Sequence, residues 1–272
     1  MKIALCLSGP ERMAEADEIV RASKGLDMDF SVSDYASSSF SDVPLKSDAI
    51  LSIGGDGTFL KAASAAMRIG CPIIGFNLGT LGFLTEAGYG DRRAVLERIA
   101  SGNAEIRERM TIECLVMIGE ERVRLGEALN EAVFYRGDDA RLPDISFFVD
   151  NLQGASFRAD GLIVSTPTGS TAYSLAAGGP IVAPDLECLL AVPVSPHTLT
   201  SRPLVLPSSS SIMICENTGR AMAVSLDGHS RHKVPSGGKL LIKKMDAGLK
   251  VFSLRSDFFA VLRDKLGWIG GR

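Results

Sequence analysis

The feature that most restricts the fold of this chain is a change of hydrophobic period near residue 104. Before it, short apolar runs at 3–7, 49–53 and 72–76 alternate with amphipathic stretches at 11–24, 58–69 and 92–99. That rhythm predicts a parallel αβα sheet, because each crossover between parallel strands needs a connection of helix length. After it the period falls to two, clearest at Met110, Ile112, Cys114, Val116 and Ile118, with strand-like runs at 128–135, 145–149, 162–165, 211–215, 221–225 and 239–243. This half reads as mainly antiparallel β. A last segment, 256–266, has helical spacing in Phe258, Phe259, Leu262 and Leu266 and is expected to return to the first domain. The expected domains are therefore 1–103 with 256–272, and 104–255. At 272 residues and 46% hydrophobic content, the chain is long enough to bury two modest cores.

Within the first half, Ile50-Leu51-Ser52-Ile53-Gly54-Gly55-Asp56-Gly57-Thr58-Phe59-Leu60 places one carboxylate in a glycine-rich turn between an apolar strand and a helix expected to begin near Thr58. Glycines let the backbone approach phosphate oxygens, and a helix N-terminus directs unpaired N–H groups and the positive end of its dipole to the same place. Asp56 would repel an anion there unless a cation or a hydroxyl donor lay between them, so it suggests a base or a magnesium ligand. A plain strand-to-helix turn with an Asp near the N-cap accounts for an isolated GGDG equally simply. A second glycine-rich stretch, Gly75 to Phe83, also follows an apolar run. Two carboxyl ends of strands are thus expected to line one crevice.

Several classes drop out on composition and motif. A net charge of −3 and a pI near 5.7, with no run of Lys or Arg, argue against nucleic acid as a partner. Five scattered cysteines, odd in number and without a CxxC pair, fit buried thiols in a reducing compartment, so the chain reads as cytoplasmic. The uncharged segment 69–85 is broken by Pro72 and four glycines, which leaves no credible membrane span. No GxGxxG, GxxxxGK[ST] or GxSxG pattern is present. His229 and His232 lack a nearby third ligand for zinc, and His197 reads as structural.

The richest stretch of the second half runs from Asp160 to Pro180 and contains Ser165-Thr166-Pro167-Thr168-Gly169-Ser170-Thr171-Ala172-Tyr173-Ser174. Small residues after a strand let backbone groups approach a flat ligand, and Tyr173 could cover an aromatic ring. Helix capping accounts for Ser170 and Thr171 alone. Asn130-Glu131 is a polar break inside a strand-like run, suited to sugar hydroxyls or, more plainly, to an exposed strand edge.

Gly54-Gly55-Asp56-Gly57-Thr58, Asn130-Glu131 and the 160–180 segment, in that order, closely resemble the NAD kinase family. The GGDGT turn is shared with lipid kinases, whereas STPTGSTAYS is specific, and the match spans most of the chain. The resemblance implies phosphoryl transfer from ATP or polyphosphate to the 2′-hydroxyl of the adenosine ribose of NAD, giving NADP, with a divalent cation, magnesium, accompanying the donor. Asp56 matches the catalytic base and Gly57 a nucleotide contact, with Gly54, Gly55 and Thr58 completing the phosphate turn. Asn130 and Glu131 match the pair that binds NAD hydroxyls. Thr171, Ala172, Tyr173 and Ser174 match the surroundings of adenine and nicotinamide. Arg158 and Asp160 match positions that reach the nicotinamide side of NAD held by a neighbouring subunit, which implies a homodimer or homotetramer. Lys61 is placed to reach a diphosphate, and Phe83 to line the NAD pocket; a snorkelling lysine and a core aromatic account for them too. Two positions depart from the family: Ala176 replaces a common Ser, and Arg141 a different polar residue. No firm metal ligand is assigned. The implied fold is a phosphofructokinase-like α/β domain, a β-rich domain and a helix returning to the first.

Two other functions share part of this pattern. A lipid kinase would carry GGDGT but is opposed by the 165–174 run and the lack of a membrane-facing amphipathic segment. A non-catalytic NADP-binding sensor would keep the pocket, but retention of Asp56 argues for turnover.

Overall fold

The computed structural model describes residues 1–33, 40, 42–79, 82–137, 141–254 and 258–267. The serine run at 37–39, Thr80 and Leu81 of the second glycine-rich stretch, and Ser256 lie outside them. The chain divides into two compact units, Met1–Glu108 with Leu249–Arg272, and Arg109–Gly248.

The first unit is built on one sheet in the order Asp29–Ser33, Lys2–Leu7, Ala49–Ile53, Ile73–Asn77, Leu249–Ser253, Glu105–Arg109, with the short strand Ala87–Gly88 pairing at the end of Ile73–Asn77. Neighbours from Asp29–Ser33 through Leu249–Ser253 run parallel. Every residue of Ala49–Ile53 and Ile73–Asn77 is buried, which is why these strands read as continuous apolar runs instead of alternating ones. Helix Asp56–Ile69 buries Phe59 and a stripe of alanines, and it stops at Gly70, whose φ of 79° closes a left-handed C-cap. Helix Met13–Ala22 sits within the expected amphipathic stretch, after a single 3-10 turn at Pro10–Arg12, and Arg92–Ala100 runs one residue past the expected 92–99. The chain rejoins this sheet earlier than residue 256, through the strand Leu249–Ser253, before helix Phe258–Leu266.

The second unit packs two six-stranded antiparallel sheets. One has the order Leu152–Arg158, Asp144–Val149, Ile212–Glu216, Lys239–Lys244, Ile112–Ile118, Glu121–Ala128. The other has the order Leu204–Pro207, Cys188–Val194, Gly161–Ser165, Glu131–Tyr135, Met222–Leu226, Ser230–Val234. Alternate residues of both meet in one core, Ile112, Cys114, Val116, Ile214 and Ile242 from the first with Phe134, Leu162, Val164 and Val224 from the second. The run at 128–135, expected as one strand, is two. Glu121–Ala128 ends in the first sheet, Glu131–Tyr135 opens in the second, and Leu129-Asn130 carries the chain across.

Candidate functional site

In the first unit the parallel register brings strand ends level. Leu7 lies beside Ile53 and Ile53 beside Phe76, and the ladder continues one step past the strands as the Ser8 N–H donates to the Ile53 carbonyl (3.2 Å) and the Gly54 N–H to the Phe76 carbonyl (3.0 Å). The glycine turn is therefore anchored to the sheet. Its three glycines differ in purpose. A Cβ at Gly54, where φ is 154°, would fall 2.5 Å from Thr58 Oγ1, whereas one at Gly55 or Gly57 would meet nothing within 4 Å. Gly54 serves close packing; Gly55 and Gly57 leave the backbone open to a ligand.

The helix begins at Asp56, two residues before the expected Thr58, so the carboxylate occupies the first helical position. Both of its oxygens are engaged. The Phe83 N–H donates to Oδ2 at 2.9 Å, and the Leu84 and Thr85 N–H groups donate to Oδ1 at 3.1 and 3.3 Å. Thr85 is itself fixed, its hydroxyl accepting from Asn77 Nδ2 at 3.1 Å and the Gly82 N–H at 3.0 Å. Gly82 lies so close that an added Cβ would fall 1.9 Å from Asp56 Oδ1. The Thr85 hydroxyl also lies 3.5 Å from Oδ1, so that oxygen is crowded by three donors, whereas Oδ2 takes one and keeps a lone pair for a substrate hydroxyl. Phe83 contributes its backbone N–H here and its ring is half-buried; Thr58 is buried, and Lys61 is half-buried one turn further along the helix.

In the second unit a cavity of about 470 Å³ is lined by Glu131, Val133, Tyr135, Arg136, Asp160, Tyr173, Ser225 and Arg231, with smaller residues completing the wall. Glu131, Asp160 and Tyr173 were expected at a nucleotide site and the structure brings them together. Val133 and Tyr135 follow from Glu131 by strand alternation, a signal the sequence held. Arg136 lies 3.4 Å from Asp160, and Arg231 comes from the hairpin strand Ser230–Val234. Tyr173 is 45% exposed, a large aromatic left at the cavity wall. Ala172 and Thr171 are half-buried; Ala176, Arg158 and Arg141 are exposed, and none of these five lines the cavity.

Asn130 and Glu131 are buried, at 5% and 6% exposure, which removes the exposed-edge reading. Asn130 Oδ1 and Glu131 Oε2 have no hydrogen-bond partner. Burial first, and the neighbouring Asp227 carboxylate second, push the Glu131 carboxyl up to about 8. A proton on Glu131 lets it donate as well as accept.

The hydroxyl-rich run is spent differently from expectation. Ser165 donates to the Asn130 carbonyl (3.1 Å), Thr166 to the Leu129 carbonyl (2.5 Å), and Ser170 exchanges bonds with the backbone of Val182. No hydroxyl makes a side-chain cap on the short helix Tyr173–Ala176. These side chains pin backbone segments together. Thr168, half-buried, and Ser174, buried, each have an enclosed hydroxyl lacking a partner.

Comparison with known proteins matches both halves. The profile of the ATP-NAD kinase N-terminal domain fits residues 17–104 and that of the ATP-NAD kinase C-terminal domain fits 129–253. The NAD kinase of Geotalea daltonii is 39% identical over 229 residues, covering 84% of this chain and 81% of that protein. The NAD kinase of Heliobacterium modesticaldum is 42% identical over 222 residues, covering 80% and 78%. Among solved structures, yeast NADH kinase complexed with NADH superposes with a TM-score of 0.88 at 25% identity, covering all of this chain and 89% of that one. An NAD kinase from Archaeoglobus fulgidus in complex with ATP gives 0.81 at 26% identity, covering 97% and 99%.

Proposed function

The chain belongs to the NAD kinase family of phosphotransferases, and from that premise we propose that it phosphorylates the 2′-hydroxyl of the adenosine ribose of NAD, with Asp56 as the base. The O2′–H proton passes to an Asp56 oxygen, the O2′–P bond forms, and the bond from the terminal phosphorus to its bridging oxygen breaks, releasing ADP when ATP is the donor. Proton loss comes late in a loose transition state, so Asp56 chiefly orients the hydroxyl. Its three backbone N–H partners hold the carboxylate at one angle, the kind of preorganisation such a role needs. Open backbone at Gly55 and Gly57, above a helix N-terminus, suits donor phosphates.

The observation that carries the acceptor assignment is the pair of unpartnered buried oxygens, Asn130 Oδ1 and Glu131 Oε2, the second of them on a residue lining a cavity with Tyr173. Unpartnered buried polar atoms are costly, and ribose hydroxyls would satisfy both. A neutral Glu131 also avoids repelling the diphosphate. Magnesium would enter with the donor as part of the substrate, held mainly by phosphates and water, with Asp56 the carboxylate that the phosphate turn itself offers. Bound there, it would neutralise developing phosphate charge.

We extend the reading to a homo-oligomer. The edge strand Leu204–Pro207 leaves Leu204 and Val205 exposed, and an unpartnered apolar edge of this kind favours a second copy; light scattering on the eluting protein tests it. Among the described residues no helix is long and apolar enough to cross a membrane.

The deciding experiment incubates the purified chain with magnesium and NAD or NADH, in parallel arms with ATP, polyphosphate or no donor. NADP formation with a donor supports the reading and ranks acceptors and donors. No NADP or NADPH in any arm, with NAD still bound, would leave a sensor.

A further inference from the structure

Asp227 lies outside every motif considered above, and it is buried on the far side of the Asn130–Glu131 pair. It sits at the first turn residue of the hairpin between Met222–Leu226 and Ser230–Val234, where Asp227 and Gly228 have φ of 48° and 71°. Three residues, Asp227 to His229, separate the paired Leu226 and Ser230, and a turn of this kind leaves its first side chain free to face water or protein. Here it faces inward. Oδ2 accepts the Leu129 N–H at 2.8 Å, and Oδ1 accepts those of Asn130 at 2.8 Å and Glu131 at 3.1 Å. The Asp227 N–H in turn donates to the Glu131 carbonyl at 3.0 Å.

The first two of these amides belong to the crossing between the sheets and the third opens the next strand, so no single strand ladder serves all of them. From the opposite side the Asn130 carbonyl accepts from the Thr166 N–H (2.9 Å) and Ser165 Oγ (3.1 Å), and the Leu129 carbonyl from Thr166 Oγ1. The backbone of the pair is clamped on both faces while its side-chain oxygens stay unpartnered.

We propose that Asp227 is a positioning residue for the acceptor nucleotide, holding the Asn130–Glu131 backbone so that both side chains meet substrate hydroxyls. The inference rests on the acceptor reading above. Its carboxyl has a second effect in the same direction, since a like charge beside Glu131 adds to the rise that burial alone produces there. Burial raises the Asp227 carboxyl too, against the pull of its three N–H donors and the nearby His229, so the two carboxyls titrate as a pair that holds on to a proton.

The test is Asp227→Asn, which keeps the shape but sets an NH2 group against at least one backbone N–H. Binding of NAD to the unmutated chain is measured first by calorimetry; absence of binding sinks the acceptor reading and this proposal with it. With binding present, the expected result for D227N is a KM and Kd for NAD raised about 10- to 100-fold, with the KM for ATP changed less than about 2-fold. D227N combined with Asn130→Ala should be little worse for NAD than either alone, because both act through the same contacts. An unchanged Kd for NAD in folded D227N overturns the proposal while leaving the acceptor reading intact, and so do fully additive losses or equal losses for both substrates. Asp227→Ser, which leaves room for a water among the three amides, is the second variant. If neither folds, the carboxylate is a requirement of the fold alone and the proposal fails.

Discussion

The two carboxylates at the centre of the proposed chemistry are housed in opposite ways. Asp56 stands at the first position of a helix, on a turn whose neighbours Gly55 and Gly57 are exposed, and its partners are the backbone N–H groups of residues 83–85. Glu131 is sealed at the start of a strand, beside a second buried carboxylate, and keeps an oxygen without a partner. The same functional group is given fixed donors and open space in one place, and desolvation with a like charge in the other. The first arrangement suits a group that must accept a proton from a bound hydroxyl; the second suits one that recognises hydroxyls without carrying charge.

Breaking the first arrangement should have the largest effect. Asp56→Asn is expected to lower kcat about 10²- to 10⁴-fold while the Kd for NAD moves little, read by steady-state kinetics beside calorimetry. Gly82→Ala probes the same carboxylate from outside, since its Cβ would collide with Asp56 Oδ1; kcat should drop roughly 10- to 100-fold, whereas Gly90→Ala, with open space around it, should leave the rate unchanged. In the second unit, Gly169→Ala would place a Cβ 2.2 Å from the Asn130 carbonyl oxygen, so the unfolding free energy should fall by about 1–3 kcal/mol with a matching rise in the KM for NAD.

A pH experiment sharpens the contrast. The ordinary value of the Glu131 carboxyl is 4.5 and the folded value about 8, so the folded state holds a proton that the unfolded chain releases. That stabilisation is complete below about 4.5 and is lost as pH rises through about 8. The melting temperature should therefore decline from pH 6 to pH 9, and Glu131→Gln should flatten the decline. A wild-type profile as flat as that of the variant would contradict the neutral Glu131. The smallest effect is expected at the family departure: Ala176→Ser adds an exposed hydroxyl and should change the KM for NAD by no more than about 3-fold.

Much of this was legible in the chain. Runs of buried residues at 49–53 and 73–77 and the alternation at 112–118 follow directly from sheets covered on both faces or on one. The GGDGT turn was readable because glycine and a lone carboxylate between a strand and a helix have few other uses. What was not legible depends on distance along the chain. Asp56 meets partners 27 to 29 residues away, and Asp227 meets partners 96 to 98 residues away. Leu226-Asp227-Gly228-His229 announces a turn and says nothing of where its carboxylate points. The run at 165–174 was read as bringing backbone close to a ligand, with capping as the plain account of Ser170, yet Ser165, Thr166 and Ser170 are fully buried and tie distant backbone segments together, which local sequence cannot reveal.

The crossing at Leu129-Asn130 has a consequence for how such a chain can diversify. A seam between two sheets leaves backbone groups that no neighbouring strand can serve, so Asp227, Ser165 and Thr166 are committed to them and a change in any one disturbs the joint itself. The cavity wall carries no such obligation at Tyr173 or Arg231. Shifts in preference between oxidised and reduced acceptors should accumulate on that wall and spare the seam, much as a door is rehung by moving its furniture and not its hinge.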